Sequence, residues 1–265
     1  MKYTLGFIGC GNMGGALVAA CAKSVDGKSI AVCDFDQSKV EKFEKECGVV
    51  GTTAQDIAQN AQFIVLAVKP QVMQSAIANF ADVLRERKDC TVITMAAGLS
   101  IDAIRSYIGA DLPVIRIMPN TPAMVGEGMI LYSLADVDES AETAFLSAFA
   151  KAGKFDKIPE SLIDAGSALS GCGPAFVYAF AHALVKGAVE CGVPEEKAFS
   201  YATQTMIGAA KMLETYGDPQ TLIKNVCSPG GTTIEGIKAL ESAEFDKITS
   251  SAVTAAYKRT LELKK

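Results

Sequence analysis

Gly9-Cys10-Gly11-Asn12-Met13-Gly14 is the stretch on which the reading of this chain turns. It follows an apolar β-type run, Thr4–Ile8, and opens a helical pattern, Asn12–Lys23. In that setting the first glycine permits a tight turn, the second lets a pyrophosphate approach the backbone, and the third packs helix against strand. The helix start then offers unpaired N–H groups to phosphate. Asp34 stands at the end of the next β-type run, at the spacing that the dinucleotide-binding fingerprint requires. A carboxylate there accepts from a ribose 2′-hydroxyl and repels a 2′-phosphate, which leans the expectation toward NADH. The competing reading makes Asp34 or Asp36 the cap of the following helix. Lys39 and Lys42 are the cations within reach.

Outward from the loop, β-type runs alternate with helical patterns. The strands expected are Thr4–Ile8, Ser29–Cys33, Phe63–Val68, Thr91–Met95, Val114–Ile117 and Met129–Tyr132. Helices are expected near Asn12–Lys23, Gln37–Glu46, Gln71–Val83, Ile101–Ile108 and Glu139–Ala152. Val- and Ile-rich strands, each followed by a helix, predict a parallel sheet covered on both faces. From Pro159 the β runs stop. Ser161–Cys191, Glu195–Tyr216, Gln220–Val226, Thr232–Glu241 and Phe245–Leu263 read as helices, parted by Gly/Pro turns. The expected organisation is an α/β dinucleotide-binding domain over 1–158 and an all-helical domain over 159–265.

Composition narrows the function. The 265 residues are 49% apolar and 21% charged, ordinary for a globular protein with a sizeable core. A net charge of −5, no dense basic run and no Trp argue against nucleic acid. Eight cysteines without a C-x-x-C pair, and one histidine, His182, predict reduced thiols, no metal and a cytoplasmic protein. The N-terminus does not read as a signal peptide. The longest uncharged stretch, Ala165–Val185, is broken by Gly166, Gly171, Gly173 and Pro174, so a buried helix is expected and no membrane span. His182 sits in an apolar helix and reads as a packed or interface residue.

Two further loops end strands. Ala67-Val68-Lys69-Pro70 and Met118-Pro119-Asn120-Thr121-Pro122 fall at carboxyl ends, where doubly wound sheets bind ligands. Singly, Lys69 is also a solvated charge and Asn120 also a turn residue. Together with the glycine loop they read as a cleft. No Gly-x-Ser-x-Gly elbow is present.

The helical half carries two distinctive strings, Leu169-Ser170-Gly171-Cys172-Gly173-Pro174-Ala175 and Asn225-Val226-Cys227-Ser228-Pro229-Gly230-Gly231-Thr232-Thr233. With the glycine loop, Val68-Lys69-Pro70 and Met118–Pro122, in this order, the chain resembles the pyrroline-5-carboxylate reductases over nearly its whole length. The resemblance implies reduction of 1-pyrroline-5-carboxylate to L-proline with NAD(P)H. It implies an N-terminal Rossmann domain and an all-helical C-terminal dimerisation domain, in homodimers that often build decamers. It places Gly9, Gly11, Gly14, Val68, Lys69, Pro70 and Asn225 at the cofactor, where the glycine fingerprint itself also puts Cys10, Asn12, Met13 and Asp34. Ser228, Gly231, Thr232 and Thr233 would hold substrate, with Thr233 catalytic, and Glu160 matches an acidic position near it. Many such enzymes carry NADPH-compatible residues where this chain has Asp34. Apart from the resemblance, Ser228–Gly231 reads as a helix cap and turn, and Cys172 and Cys227 as small packing residues.

Two rival functions are open to a chain of this organisation. Enzymes similar to β-hydroxyacid dehydrogenases carry a catalytic lysine four residues after the second glycine of a Gly-x-Gly motif. Here that motif is Gly171-Cys172-Gly173, and Val177 occupies the lysine's place. A nucleotide-sensing protein without catalysis is the other rival, since fold alone does not exclude it. The intact Ser228–Thr233 string argues against it.

Overall fold

The protein is described by a computed structural model over residues 2–262. Leu263, the last residue of the final expected helix, lies outside that range. In chain order the first half runs β1 (Tyr3–Ile8), α1 (Asn12–Cys21), β2 (Ile30–Cys33), α2 (Gln37–Cys47), β3 (Val50–Gly51), α3 (Ala54–Asn60) and β4 (Ala61–Leu66). It continues with α4 (Pro70–Ala78), α5 (Ala81–Arg85), β5 (Thr91–Thr94), α6 (Ile101–Ile108), β6 (Val114–Met118), β7 (Gly128–Ala135), α7 (Glu139–Phe149) and β8 (Gly153–Lys157). The helical remainder is α8 (Glu160–Ser170), α9 (Gly173–Glu190), α10 (Glu195–Tyr216), α11 (Pro219–Val226), α12 (Thr232–Ser242) and α13 (Phe245–Glu262).

The eight strands form one sheet in the order β3-β2-β1-β4-β5-β6-β7-β8. Side chains alternate across it, as a period of two demands. Phe63 and Val65 of β4 join one core with Leu17, Val18, Phe145 and Phe149. Ile64 and Leu66 join the other with Ile57, Met73, Ile77 and Ile104. The first core includes an aromatic cluster, in which Phe149 lies 6.2 Å from Phe7 and 5.1 Å from Phe145 by ring centroids.

The expected all-parallel sheet needs one correction, because β7 pairs antiparallel with β6. The connection Pro119–Glu127 is shorter than the dozen or so residues of a parallel crossover, so the chain doubles straight back. β8 then pairs parallel with β7. Two strands went unread in the sequence: β3 has two residues, and β8 (Gly-Lys-Phe-Asp-Lys) has one apolar side chain. The helix expected over 71–83 breaks at Asn79-Phe80, and that over 161–191 breaks at Gly171-Cys172.

The chain separates into two compact units, one ending at Cys172 and taking in residues from Ala256, the other Gly173–Ala255. This geometric division falls one helix later than 158/159, because α8 packs on the sheet. Its Ile163 is fully buried with Met118 and Leu131, and a Cβ on Gly166 would stand 2.5 Å from Leu131. A buried ion pair reinforces the seat: Arg116 of β6 reaches Asp164 of α8 at 2.7 Å. In the second unit, α9 and α10 pack through Val185, Ala198 and Ala202. Helices α11, α12 and α13 bury no residue.

Candidate active site

Strand order reverses between β1 and β4, which places the loops after both strands at the crevice where such sheets bind ligands. Gly9 has φ +104°, and a Cβ on it would lie 2.7 Å from the Ala67 carbonyl oxygen, so only glycine lets the two loops touch. A Cβ on Gly14 would run into the Gly9 carbonyl, whereas one on Gly11 would meet nothing. Gly11 is therefore not demanded by the protein's own packing. It caps α1 without any side-chain hydrogen bond, leaving the first-turn N–H groups open, with Asn12 exposed and Met13 half-buried beside them. An open glycine on an uncapped helix start fits a pyrophosphate.

Cys10 is buried in this loop. Burial foremost, and the Asp34 charge after it, push its thiol up to about 12, so it stays protonated and offers its backbone N–H rather than a nucleophile. That N–H donates to Asp34 Oδ2 at 2.6 Å, and the Asp36 N–H donates to Asp34 Oδ1 at 2.9 Å. The cap of α2 is Asp36, which accepts from the Ser38 N–H. After β4, Val68 is half-buried, while exposed Lys69 caps α4 with Pro70 in its first turn. A hollow of about 410 Å³, lined by Cys10, Gly11, Asn12, Lys39 and Lys42, adjoins the loop.

Two residues expected near a ligand are held inward. The buried Asn120 amide donates to the Ser170 carbonyl at 2.8 Å and accepts from the Met129 N–H at 3.0 Å, which ties α8 to the end of β6. Glu160 Oε1 accepts from the Ile101 N–H at 2.8 Å and from Arg116 Nη1 at 3.1 Å. Sequence reasoning passed over Arg116 and Asp164. The signal was there, in an arginine inside the apolar run Val114–Ile117 and an aspartate on the apolar face of α8.

In the second unit, Ser228-Pro229-Gly230-Gly231 forms a turn closed by the Gly231 N–H donating to the Ser228 carbonyl at 3.0 Å. Pro229 follows the first residue and Gly230 has φ +70°, the type II arrangement. Gly231 caps α12 with no side-chain bond, and a Cβ there would collide with Ser228 Oγ. The result is a second uncapped helix start, with exposed Ser228, Thr232 and Thr233 around it. An uncapped helix start of this kind suits a carboxylate, through backbone N–H groups and the helix dipole. Asn225 lies on α11 in a separate hollow of about 430 Å³ with Tyr216 and Asp218. His182 is exposed on α9 and lines another hollow with Glu195, Glu196 and Phe199. Among the described residues, no three of His, Cys, Asp and Glu group closely enough to hold a metal ion.

Known proteins bear on both halves. A family model for pyrroline-5-carboxylate reductase dimerisation matches residues 160–263, and one for NADP oxidoreductase, coenzyme F420-dependent, matches 4–98. A pyrroline-5-carboxylate reductase of Escherichia coli K12 is 36% identical over 100% of both chains, and one of Arabidopsis thaliana is 35% identical over 99% of this chain and 96% of its own. A solved pyrroline-5-carboxylate reductase from Coxiella burnetii superposes with TM-score 0.90 at 33% identity, covering 100% of both chains. Another, from Plasmodium falciparum with NADP bound, gives TM-score 0.89 at 29% identity, again over 100% of both chains. An open glycine loop after β1, an uncapped Ser-Pro-Gly-Gly turn before α12 and full-length similarity of this kind agree, and the chain belongs to the pyrroline-5-carboxylate reductase family.

Proposed function

We propose that the chain reduces 1-pyrroline-5-carboxylate to L-proline, the last step of proline biosynthesis, with its substrate carboxylate on the start of α12. The observation that carries this reading is the uncapped N-terminus behind the Ser228–Gly231 turn. Its first-turn N–H groups lack side-chain acceptors, and an anion supplies them. Ser228, Gly231, Thr232 and Thr233 hold the substrate. Glu160, which the family resemblance puts near the substrate, has its carboxylate engaged by Arg116 and the Ile101 N–H.

A reduced nicotinamide, NADH or NADPH, supplies the hydride. The N–H groups of the Gly9–Gly14 loop and of α1 hold the pyrophosphate, with Asp34, Val68, Lys69 and Pro70 around them, and Asn225 keeps the cofactor role that the family resemblance implies. The imine is basic enough to arrive protonated, so its carbon is already electrophilic. Hydride addition there leaves a secondary amine that takes its next proton from water, and no strong acid is required of the protein. The Thr233 hydroxyl accepts from the protonated ring nitrogen or donates to the carboxylate and so selects the face presented to the hydride.

By function the chain divides at 158/159, and the dimerisation model beginning at residue 160 supports that division. We assign the exposed apolar faces of α9 and α10 to a homodimer, with a decamer of such dimers as the larger assembly. The stretch 160–190 is long and apolar enough to cross a membrane. We read it as interface instead, since α8 is pinned to β6 by Arg116 and Asp164. All eight cysteines are unpaired, in keeping with a cytoplasmic enzyme.

The test is loss of reduced-nicotinamide absorbance with pyrroline-5-carboxylate, run in parallel with NADH and NADPH. Turnover with proline as product establishes the reaction. A folded sample that binds nucleotide without turnover instead supports a sensor.

A further inference from the structure

Asp34 is turned into the protein. Its two carboxylate oxygens accept from the Cys10 and Asp36 N–H groups, and only 12% of the side chain is exposed. It thus stitches the end of β2 to the glycine loop, alongside the Gly9 N–H bond to the Cys33 carbonyl at 2.8 Å. Two neighbours face outward. Phe35 is fully exposed, the most exposed large apolar side chain among the described residues. Lys39, in the first turn of α2, holds its ammonium 3.6 Å from Asp34 Oδ1 and 3.8 Å from Asp36 Oδ2. Both contacts are long and the lysine is 43% exposed, so it is loosely held. The carboxylates it faces are already served by backbone N–H groups and, at Asp36, by the Ser38 hydroxyl at 2.6 Å.

In sheets of this topology the adenosine ribose lies at the end of β2. A flat apolar ring and a re-aimable cation therefore stand where a base and a 2′-phosphate arrive. We propose that Phe35 takes the adenine face and Lys39 the 2′-phosphate, while Asp34 acts as a brace of the glycine loop, so Lys39 rather than Asp34 sets the ratio of NADPH to NADH use. This rests on the nucleotide-binding reading above and replaces the NADH preference expected from Asp34 alone. A ring left in water gains from stacking on a base, and an ammonium gains from a phosphate dianion more than from an already solvated carboxylate.

The test measures binding of 2′,5′-ADP and of 5′-AMP to the full-length protein by calorimetry, with thermal melting to confirm folding. Lys39→Ala is expected to weaken 2′,5′-ADP about tenfold and leave 5′-AMP within about twofold. Phe35→Ala is expected to weaken both by about fivefold or more. The kcat/KM ratio of NADPH to NADH should fall with Lys39→Ala and stay level with Asp34→Ser, which weakens both cofactors together. Equal losses of both fragments in Lys39→Ala, or a raised NADPH ratio in Asp34→Ser, would overturn the assignment. Binding of neither fragment to the folded parent protein would remove the nucleotide reading itself and this assignment with it.

Discussion

The sheet-bearing unit and the helical unit handle apolar side chains in opposite ways. In the first, Phe7, Phe63, Phe145 and Phe149 are all fully buried within the chain. In the second, Tyr178 is 61% and Phe199 65% exposed on neighbouring helices that bury only Val185, Ala198 and Ala202. One unit closes its own core, so its stability is a property of the single chain. The other presents an unfinished core, and a soluble protein rarely leaves such a surface uncovered. The chain's match to a dimerisation family over 160–263 fits that contrast. The proposed substrate turn sits in the unit with the unfinished core, ahead of α12 and apart in sequence from α9 and α10.

The contrast is broken most directly in the aromatic core. Phe149→Ala removes a fully buried ring and should cost about 3–5 kcal/mol. Urea unfolding should show that loss at every protein concentration. A loss that vanished at high concentration would mean the sheet unit also leans on a partner. Thr233→Ala, in the other unit, should leave melting temperature and nucleotide affinity unchanged while kcat/KM for the imine falls about hundredfold. Thr233→Ser should restore most of it, and parent-like turnover in the alanine variant would remove the threonine from the mechanism.

Phe199→Glu sharpens the comparison further. It should weaken self-association by about 2 kcal/mol, seen as a lighter species in sedimentation, with nucleotide binding by the sheet unit retained. Unchanged assembly would place the interface elsewhere on the helices. The smallest effect concerns Glu142, whose carboxyl is held below its usual range, first by the Lys157 hydrogen bond and then by that of Tyr132. A lowered folded pKa contributes stability above about pH 4.5 and loses it as the pH falls. Glu142→Gln should therefore flatten the acid limb of the stability curve, by less than about 1 kcal/mol for so exposed a pair. An acid limb as steep as the parent's would assign the loss to other carboxylates.

Local pattern was enough wherever the signal was itself local. The glycine loop, the Val/Ile strands and the Gly/Pro helix stops declare themselves over a few residues, and their elements appear close to the expected limits. The Ser228–Gly231 turn was legible for the same reason, since proline then glycine dictates a type II turn. What stayed hidden depends on partners distant in sequence. β8 exists because β7 is there to pair with it. The direction of β7 follows from a connection too short to cross over. Gly171, Gly173 and Pro174 interrupt the apolar stretch, yet on their own they did not show that the helix expected over 161–191 ends at Gly171-Cys172.

The same division runs through the candidate site. Residue types and spacing alone determined that this chain has a glycine loop of the dinucleotide-binding pattern, a Pro-Gly turn ahead of a helix and a helical second half. They did so because backbone N–H groups at helix starts need only glycine and turn geometry to be presented. Tertiary structure alone decided where the charged side chains point. Asp34 faces the Cys10 N–H, Glu160 faces Arg116, and Asn120 faces Ser170. Each choice follows from the cost of leaving a buried N–H, guanidinium or carbonyl unpaired, and that cost appears only when distant segments meet.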